Sequence, residues 1–443
     1  MALNGERIRS LVAEARGKYA VARAAFTDED IFEAEMRYIW EGNWIFLCHE
    51  SQLPKPNDFL TTWIGRQPVI INRDKNGRLG GFINACTHRG ATLCRERRGH
   101  AAVFTCPFHG WAFHSDGTLL PVRGEKDGAY SAEFDKSAHA LKAVPRVESY
   151  RGFIFGSLNA EVEPLSSHLG DARYFIDLLV DQAPEGLELV RGSSTYVYKG
   201  NWKLQAENGA DGYHVAAVHH NYVSMLRNRE QAAQTVNPEA ITPGGIGNRA
   251  SGFYAFDNGH VVIWSERGNP AASPNFPRQE QYRQQYGEDR AFWMLGRSRN
   301  LGVYPNLFLM DSMSTQIRRT RALSVDATEV TTFCFAPIGE SLETRTKRIR
   351  QYEDFYNASG MATPDDLAEF KASQSGFQGR LLAWSDLSHG AERWIRGPDE
   401  LARRCGFDAV MSGPRIEDEG LFVMQHKGWQ AKMLAGLKKD GLS

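Results

Sequence analysis

Apolar and polar positions recur with different periods along the chain. Thr27-Asp-Glu-Asp-Ile-Phe-Glu-Ala-Glu-Met sets a Thr N-cap before acidic and then apolar residues, the opening of a helix, and residues 1–47 read as mostly helical. Between 48 and 160 the pattern shortens. PVIIN (68–72), GGFIN (80–84), AVFTC (102–106) and GFIFGSL (152–158) lie between Gly, Pro, Asn and Asp turn signals, as in a small antiparallel β domain. A helical pattern returns at 163–186, strands from 187, and a helix at 202–230. Residues 233–278, rich in Gly, Pro and Asn, read as loop framing a site. Strands are expected at 301–310 and 328–336, and helices at 340–359, 364–373 and 419–438. The expected fold class is α+β, with no internal repeat. An N-terminal helical segment (1–47) packs on the last domain, an all-β domain spans 48–160, and residues 161–443 form an antiparallel sheet flanked by helices.

Composition narrows the class. The 443 residues are 42% apolar and 24% charged with a formal net charge of −1, which points away from a nucleic-acid binder or a polybasic membrane protein. No run approaches the ~18 apolar residues of a membrane span. The first fifteen residues carry charges throughout and show no signal-peptide core. Six cysteines are too sparse for a disulfide scaffold, so a cytoplasmic location is expected and closely spaced Cys and His read as metal ligands.

Cys86-Thr-His88 and Cys106-Pro-Phe-His109 are such a set. Zinc fingers group Cys with Cys and His with His. Here each loop supplies one of each, which suits a [2Fe–2S] cluster with two thiolates on one iron and two imidazoles on the other. Neutral imidazoles raise the potential, making the cluster a one-electron donor to a further metal centre. Gly90 and Gly110 let the loops close, backbone N–H groups can bond the sulfurs, and Trp111 can pack beneath. Cys94 reads as a small thiol, buried or half-exposed, and His100 and His114 as surface or loop residues rather than ligands.

CTHRG (86–90) and CPFHGW (106–111) resemble the two loops of the Rieske family, and the chain's length resembles the α subunit of ring-hydroxylating dioxygenases. A second constellation follows in Glu207-Asn-Gly-Ala-Asp211-Gly-Tyr213-His214-Val-Ala-Ala-Val-His219. Five residues is not a helical stacking interval, so the two histidines converge only if the helix bends. Two His and one carboxylate form the facial triad of non-haem Fe(II) oxygenases, with positions left open for O₂. His220 is the rival ligand, and the spacing favours His219. The resemblance implies that Asp211 does not ligate iron but bridges a cluster histidine of a neighbouring subunit and His214. It also implies Asp366 as third ligand, with Gln374 at the family's spacing. Asp365 stays the alternative, and both acids also suit a helix first turn after Pro364. Asn208 and Tyr213 are candidate supporting groups.

The resemblance is closest to the benzoate, toluate and anthranilate 1,2-dioxygenase group, through IGRQPVIINRD (64–74), DQAPEGLELVRGSS (181–194), NWKLQAENGADGYHV (201–215) and DEGLFVMQHKGW (418–429). It implies dihydroxylation of an aromatic carboxylate at C1 and C2, with O₂ as co-substrate. It further implies a small β subunit in an (αβ)₃ hexamer and an NADH-dependent flavin/iron–sulfur reductase. A Rieske monooxygenase or O-demethylase would use the same irons. No dinucleotide fingerprint is present, since Gly244, Gly245 and Gly247 lack a strand–turn–helix context. A carboxylate in an apolar pocket needs a fixed cation or several N–H donors, and the alternating Gln316-Ile-Arg318-Arg319-Thr-Arg321 offers Arg318 or Arg319. Val218, Met225, Leu226, Leu307 and Leu309 are apolar candidates for the pocket. His220 stands where the benzoate members carry Trp and could partner an ortho-amino group.

Overall fold

The computed structural model describes residues 3–15, 17–222, 224–225, 228, 249–312 and 314–442. The chain divides into two compact units, Met36–Leu165 and a larger one made of Met1–Glu35 with Ser166–Ser443. Among the described residues no helix is long and apolar enough to cross a membrane.

The smaller unit is built from short antiparallel strands. One sheet orders Leu79–Ile83, Gln67–Arg73, Asp58–Ile64 and Arg98–His100, and a second joins Arg146–Tyr150, Phe153–Ser157 and Ile45–His49. Val103–Thr105 and Ala112–His114 form a hairpin. Phe59, Ile70, Phe82, Phe104, Trp111 and Phe113 bury their side chains around Cys86 and Cys106. Ile45–Leu47 is therefore a strand of this unit, paired with Phe153–Ser157, rather than the end of a helical segment.

The larger unit carries an antiparallel sheet ordered Leu187–Leu189, Ala327–Pro337, Thr315–Ser324, Leu307–Asp311, Arg297–Val303, Val261–Glu266, Ser251–Ala255, Met411–Gly413 and Ile395–Arg396, with Ser194–Tyr198 also on Ala327–Pro337. Helices Leu342–Phe355, Thr363–Gly376 and Gly420–Lys439 accompany it. The fold class is α+β, as expected.

Three segments depart from the expectation. Within residues 1–47, Val12–Ala15 and Lys18–Ala22 form a hairpin that Trp384–Asp386 extends. Gly17, at φ +76°, reverses the chain in a conformation no helix contains, and the completing strand comes from far along the sequence. Within 233–278, of which 233–248 lie outside the described residues, Ser251–Ala255 and Val261–Glu266 are buried strands in the middle of the sheet. A strand buried on both faces lacks polar alternation, and the Gly, Pro and Asn residues around it mask it along the chain. The helix expected over 202–230 is interrupted, and the interruption creates the site.

Candidate metal centres and their surroundings

The two Cys/His loops fold alike. Cys86 N–H donates to Ala91 O at 2.8 Å and Gly90 N–H to Cys86 O at 2.8 Å; Cys106 N–H donates to Trp111 O at 2.7 Å and Gly110 N–H to Cys106 O at 3.0 Å. Each turn closes on a left-handed glycine, Gly90 at φ +76° and Gly110 at +75°. Cys86 and Cys106 are buried, whereas His88 and His109 are exposed with ring centroids 4.8 Å apart. Backbone N–H groups of His88 and Arg89 point at the Cys86 sulfur, and those of Phe108 and His109 at Cys106. Trp111 stacks on His88 at 4.6 Å. The ligand atoms of a tetrahedral zinc site lie within about 4 Å of one another. Among the described residues only His214, His219 and Asp366 gather their donor atoms within 4.8 Å. The Cys/His set, with thiols inside and imidazoles outside, suits a two-iron cluster instead. Burial pushes the Cys94 thiol up to about 12. His100 pairs with Asp58 at 3.0 Å.

The second centre begins on the helix Trp202–Asn208. Asn201 caps it through its side chain, and its own N–H donates to Gln374 Oε1 at 2.9 Å. Gln374 thus ties this helix to Thr363–Gly376, and its Nε2 donates to Phe26 O. Glu35 is fully buried and pairs with Lys203, while Trp202 Nε1 and Trp429 Nε1 donate to it at 2.8 and 2.7 Å. The helix then stops. A Cβ on Gly209 would lie 2.3 Å from the Phe308 ring, and one on Gly212 would lie 2.6 Å from Ile416 O. These two glycines, unremarked in the sequence, let the backbone press onto the sheet.

The chain restarts as the short helix Val215–Val218, with His214 at its N-cap and His219 at its C-cap. That break lets the five-residue interval converge. The two Nε2 atoms stand 3.2 Å apart, and Asp366 Oδ1 lies 3.5 Å from His214 Nε2 and 3.4 Å from His219 Nε2. Asp366 comes from the first turn of Thr363–Gly376, buried on its inner side. Asp365 does not join the group, and His220 is exposed. Asn208 Nδ2 donates to Asp366 Oδ1 at 3.2 Å. On the far side of His214, Asp211 Oδ2 lies 2.9 Å from Nδ1, and Asp211 Oδ1 accepts the Tyr213 N–H at 2.6 Å. Tyr213 faces outward, stacked on His389 at 4.3 Å.

The electrostatics are those of a desolvated donor set. Burial pushes Asp366 above the usual carboxylate range against the pull of His214 and Arg318. Burial, then His214, pushes His219 down to about 4. Burial lowers His214, but Asp211 and Asp366 together outweigh it and raise it. Three close donors with mutually opposed charge preferences fit a divalent cation between them.

A cavity of about 240 Å³ opens from this group, lined in part by Trp264, Met310, Arg318, Phe355 and Tyr356. Arg318 borders it; Arg319, Val218, Met225, Leu307, Leu309 and His220 do not. The strand register explains three of these. Arg318 pairs with Phe308 on the face under Gly209, while Arg319 pairs with Leu307 and Ile317 with Leu309 on the other face. Met310, one position from Leu309, supplies the apolar wall instead. Val218 is half-buried on its four-residue helix but does not reach the cavity, and Leu226 lies outside the described residues.

Residues 43–145 match the Rieske [2Fe-2S] domain and residues 187–405 the ring hydroxylating alpha subunit catalytic domain. The chain is 52% identical to the toluate 1,2-dioxygenase subunit alpha of Pseudomonas putida, covering 99% of this chain and 97% of that one. It is 49% identical to the 2-halobenzoate 1,2-dioxygenase large subunit of Burkholderia cepacia (98% and 94% covered). It is 47% identical to the anthranilate 1,2-dioxygenase large subunit of Acinetobacter baylyi (96% and 92%). Among solved structures, a naphthalene 1,2-dioxygenase variant bound to phenanthrene superposes with a TM-score of 0.82 at 26% identity, over 99% of this chain and 97% of that one.

Proposed function

The chain belongs to the family of α subunits of ring-hydroxylating dioxygenases, and on that premise we propose that it dihydroxylates an aromatic carboxylate, of the benzoate, toluate or anthranilate kind, at ring C1 and C2. The observation that carries this reading is the convergence of His214, His219 and Asp366 on the wall of a cavity of about 240 Å³. The arene and O₂ combine with two electrons and two protons to give a cis-diol acid, both oxygen atoms entering the ring. NADH supplies the electrons through a reductase partner.

Cys86, His88, Cys106 and His109 would hold the [2Fe–2S] cluster, and His214, His219 and Asp366 the mononuclear iron, which when bound supplies the O₂-activating centre. Asp211 holds the proton on His214 Nδ1, which leaves Nε2 free to ligate. Asn208 orients the Asp366 carboxylate. Trp264, Met310 and Phe355 supply apolar wall for the ring.

Alpha subunits of this family work with a reductase and often a β subunit. For this chain the proposed assembly is (αβ)₃ with a small β subunit, in which the cluster of one α subunit serves the iron of its neighbour through Asp211. The test is a substrate panel with the reductase, reading NADH use, O₂ use and product under ¹⁸O₂. Two label atoms in a cis-diol acid from benzoate, or catechol from anthranilate, are expected. A single label atom would make the protein a monooxygenase, and no turnover of any aromatic acid would end the reading.

A further inference from the structure

An aromatic acid oxidised at C1 and C2 carries its carboxylate on one of the carbons that reacts. Its receptor must therefore sit beside the iron ligands, not at a remote end of the cavity. A desolvated carboxylate also needs a cation with spare hydrogen-bond donors.

Five arginines line the cavity: Arg249, Arg267, Arg299, Arg318 and Arg348. Arg348 is paired with Glu340 at 2.8 Å. Arg267 and Arg299 share the carboxylate of Asp311. Arg249 is half-exposed. Arg318 is different. It is 3% exposed, and among the described residues its Nε meets no acceptor and its guanidinium no carboxylate. Its positive charge reaches His214, His219 and Asp366. The strand Thr315–Ser324 points it to the Phe308 face, beneath the backbone that bears the histidines, and turns Arg319 away.

We propose that Arg318 is the substrate's carboxylate receptor, which sets ring C1 and C2 toward the iron. The inference rests on the aromatic-acid reading above. The guanidinium offers paired N–H donors to the two carboxylate oxygens, and the same charge discriminates against neutral rings of equal shape. An unpartnered buried cation destabilises the empty protein and is relieved when the anion enters, so affinity and specificity come from one group.

The experiment compares benzoate with benzamide, its neutral near-isostere, in the complete oxygenase with its reductase. Arg318→Gln and Arg318→Lys are assayed for kcat and KM on both, with iron content and the cluster spectrum recorded. The expected result is a fall in the benzoate-over-benzamide preference on the order of 10²-fold in Arg318→Gln. It should come mainly through KM, with bound iron retained and partial recovery in Arg318→Lys. Equal losses on the two substrates, or loss of iron from both variants, would overturn the assignment and make Arg318 a support of the metal site. A wild-type enzyme that oxidises benzamide but no aromatic acid would instead overturn the functional reading itself, and the receptor with it.

Discussion

Asp211 Oδ2 lies 2.9 Å from Nδ1 of His214, while Nε2 of the same ring faces His219 at 3.2 Å and Asp366 at 3.5 Å. One imidazole thus joins a carboxylate on its outer side to the donor set on its inner side. Replacing Asp211 by Asn keeps the shape and removes the charge. The expected outcome is an enzyme with its iron and cluster spectrum intact, whose reduced cluster is reoxidised by O₂ and substrate 10- to 100-fold more slowly, as is typical of orienting groups behind a metal ligand. Stopped-flow absorbance of the cluster measures it. An unchanged rate would remove Asp211 from the electron path.

Asp366 and Asp365 are neighbours in one helix turn, but only Asp366 Oδ1 meets the two imidazoles, while Asp365 is half-buried beside it. Asp366→Ala should lose the mononuclear iron and all oxygenation while the cluster absorbance persists. Asp365→Ala should keep both the cluster and the mononuclear iron. Metal analysis alongside the visible spectrum separates them, and the reverse pattern would exchange their roles.

Glu35 and Lys203 form a buried pair roofed by Trp202 and Trp429. Glu35→Leu strands an ammonium in the core, at a cost of roughly 3–5 kcal/mol in urea unfolding. The double variant Glu35→Leu/Lys203→Met should lose far less than the sum of the single changes. Additive losses would show that the two groups act independently.

Glu419 is pushed up to about 7 by burial, and then by Asp211, Glu207 and Asp386, against one N–H bond from His389. The folded chain therefore keeps a proton that the unfolded chain releases near 4.5. This group's contribution to stability is complete below pH 4.5 and is lost as the pH rises through 7. Glu419→Gln cannot ionise, so its Tm advantage over the wild type should grow from pH 5 to pH 8. A difference that does not vary with pH would show that the carboxyl titrates normally.

Parts of this were open to reading along the chain. The interleaved order of Cys86, His88, Cys106 and His109 lies in two loops that hydrogen-bond within themselves, so local spacing carried it. The helices at 342–355, 363–376 and 420–439 were visible because helical hydrogen bonds and start signals such as Ser341 and Pro364 lie within or beside each segment. The hairpin at 12–22 was not, because its third strand is contributed by Trp384–Asp386.

What the sequence determined by itself is therefore the family, the cluster loops and the histidine pair, all written in segments of fewer than about twenty-five residues. What only the tertiary structure decided is which acid and which arginine face that pair. Asp366 differs from Asp365, and Arg318 from Arg319, by a single step along the backbone. Which side of a helix turn or a pleated strand faces inward is set by the elements packed against it: the glycines that press 209–212 onto Phe308 and Ile416, and the register that pairs Arg318 with Phe308.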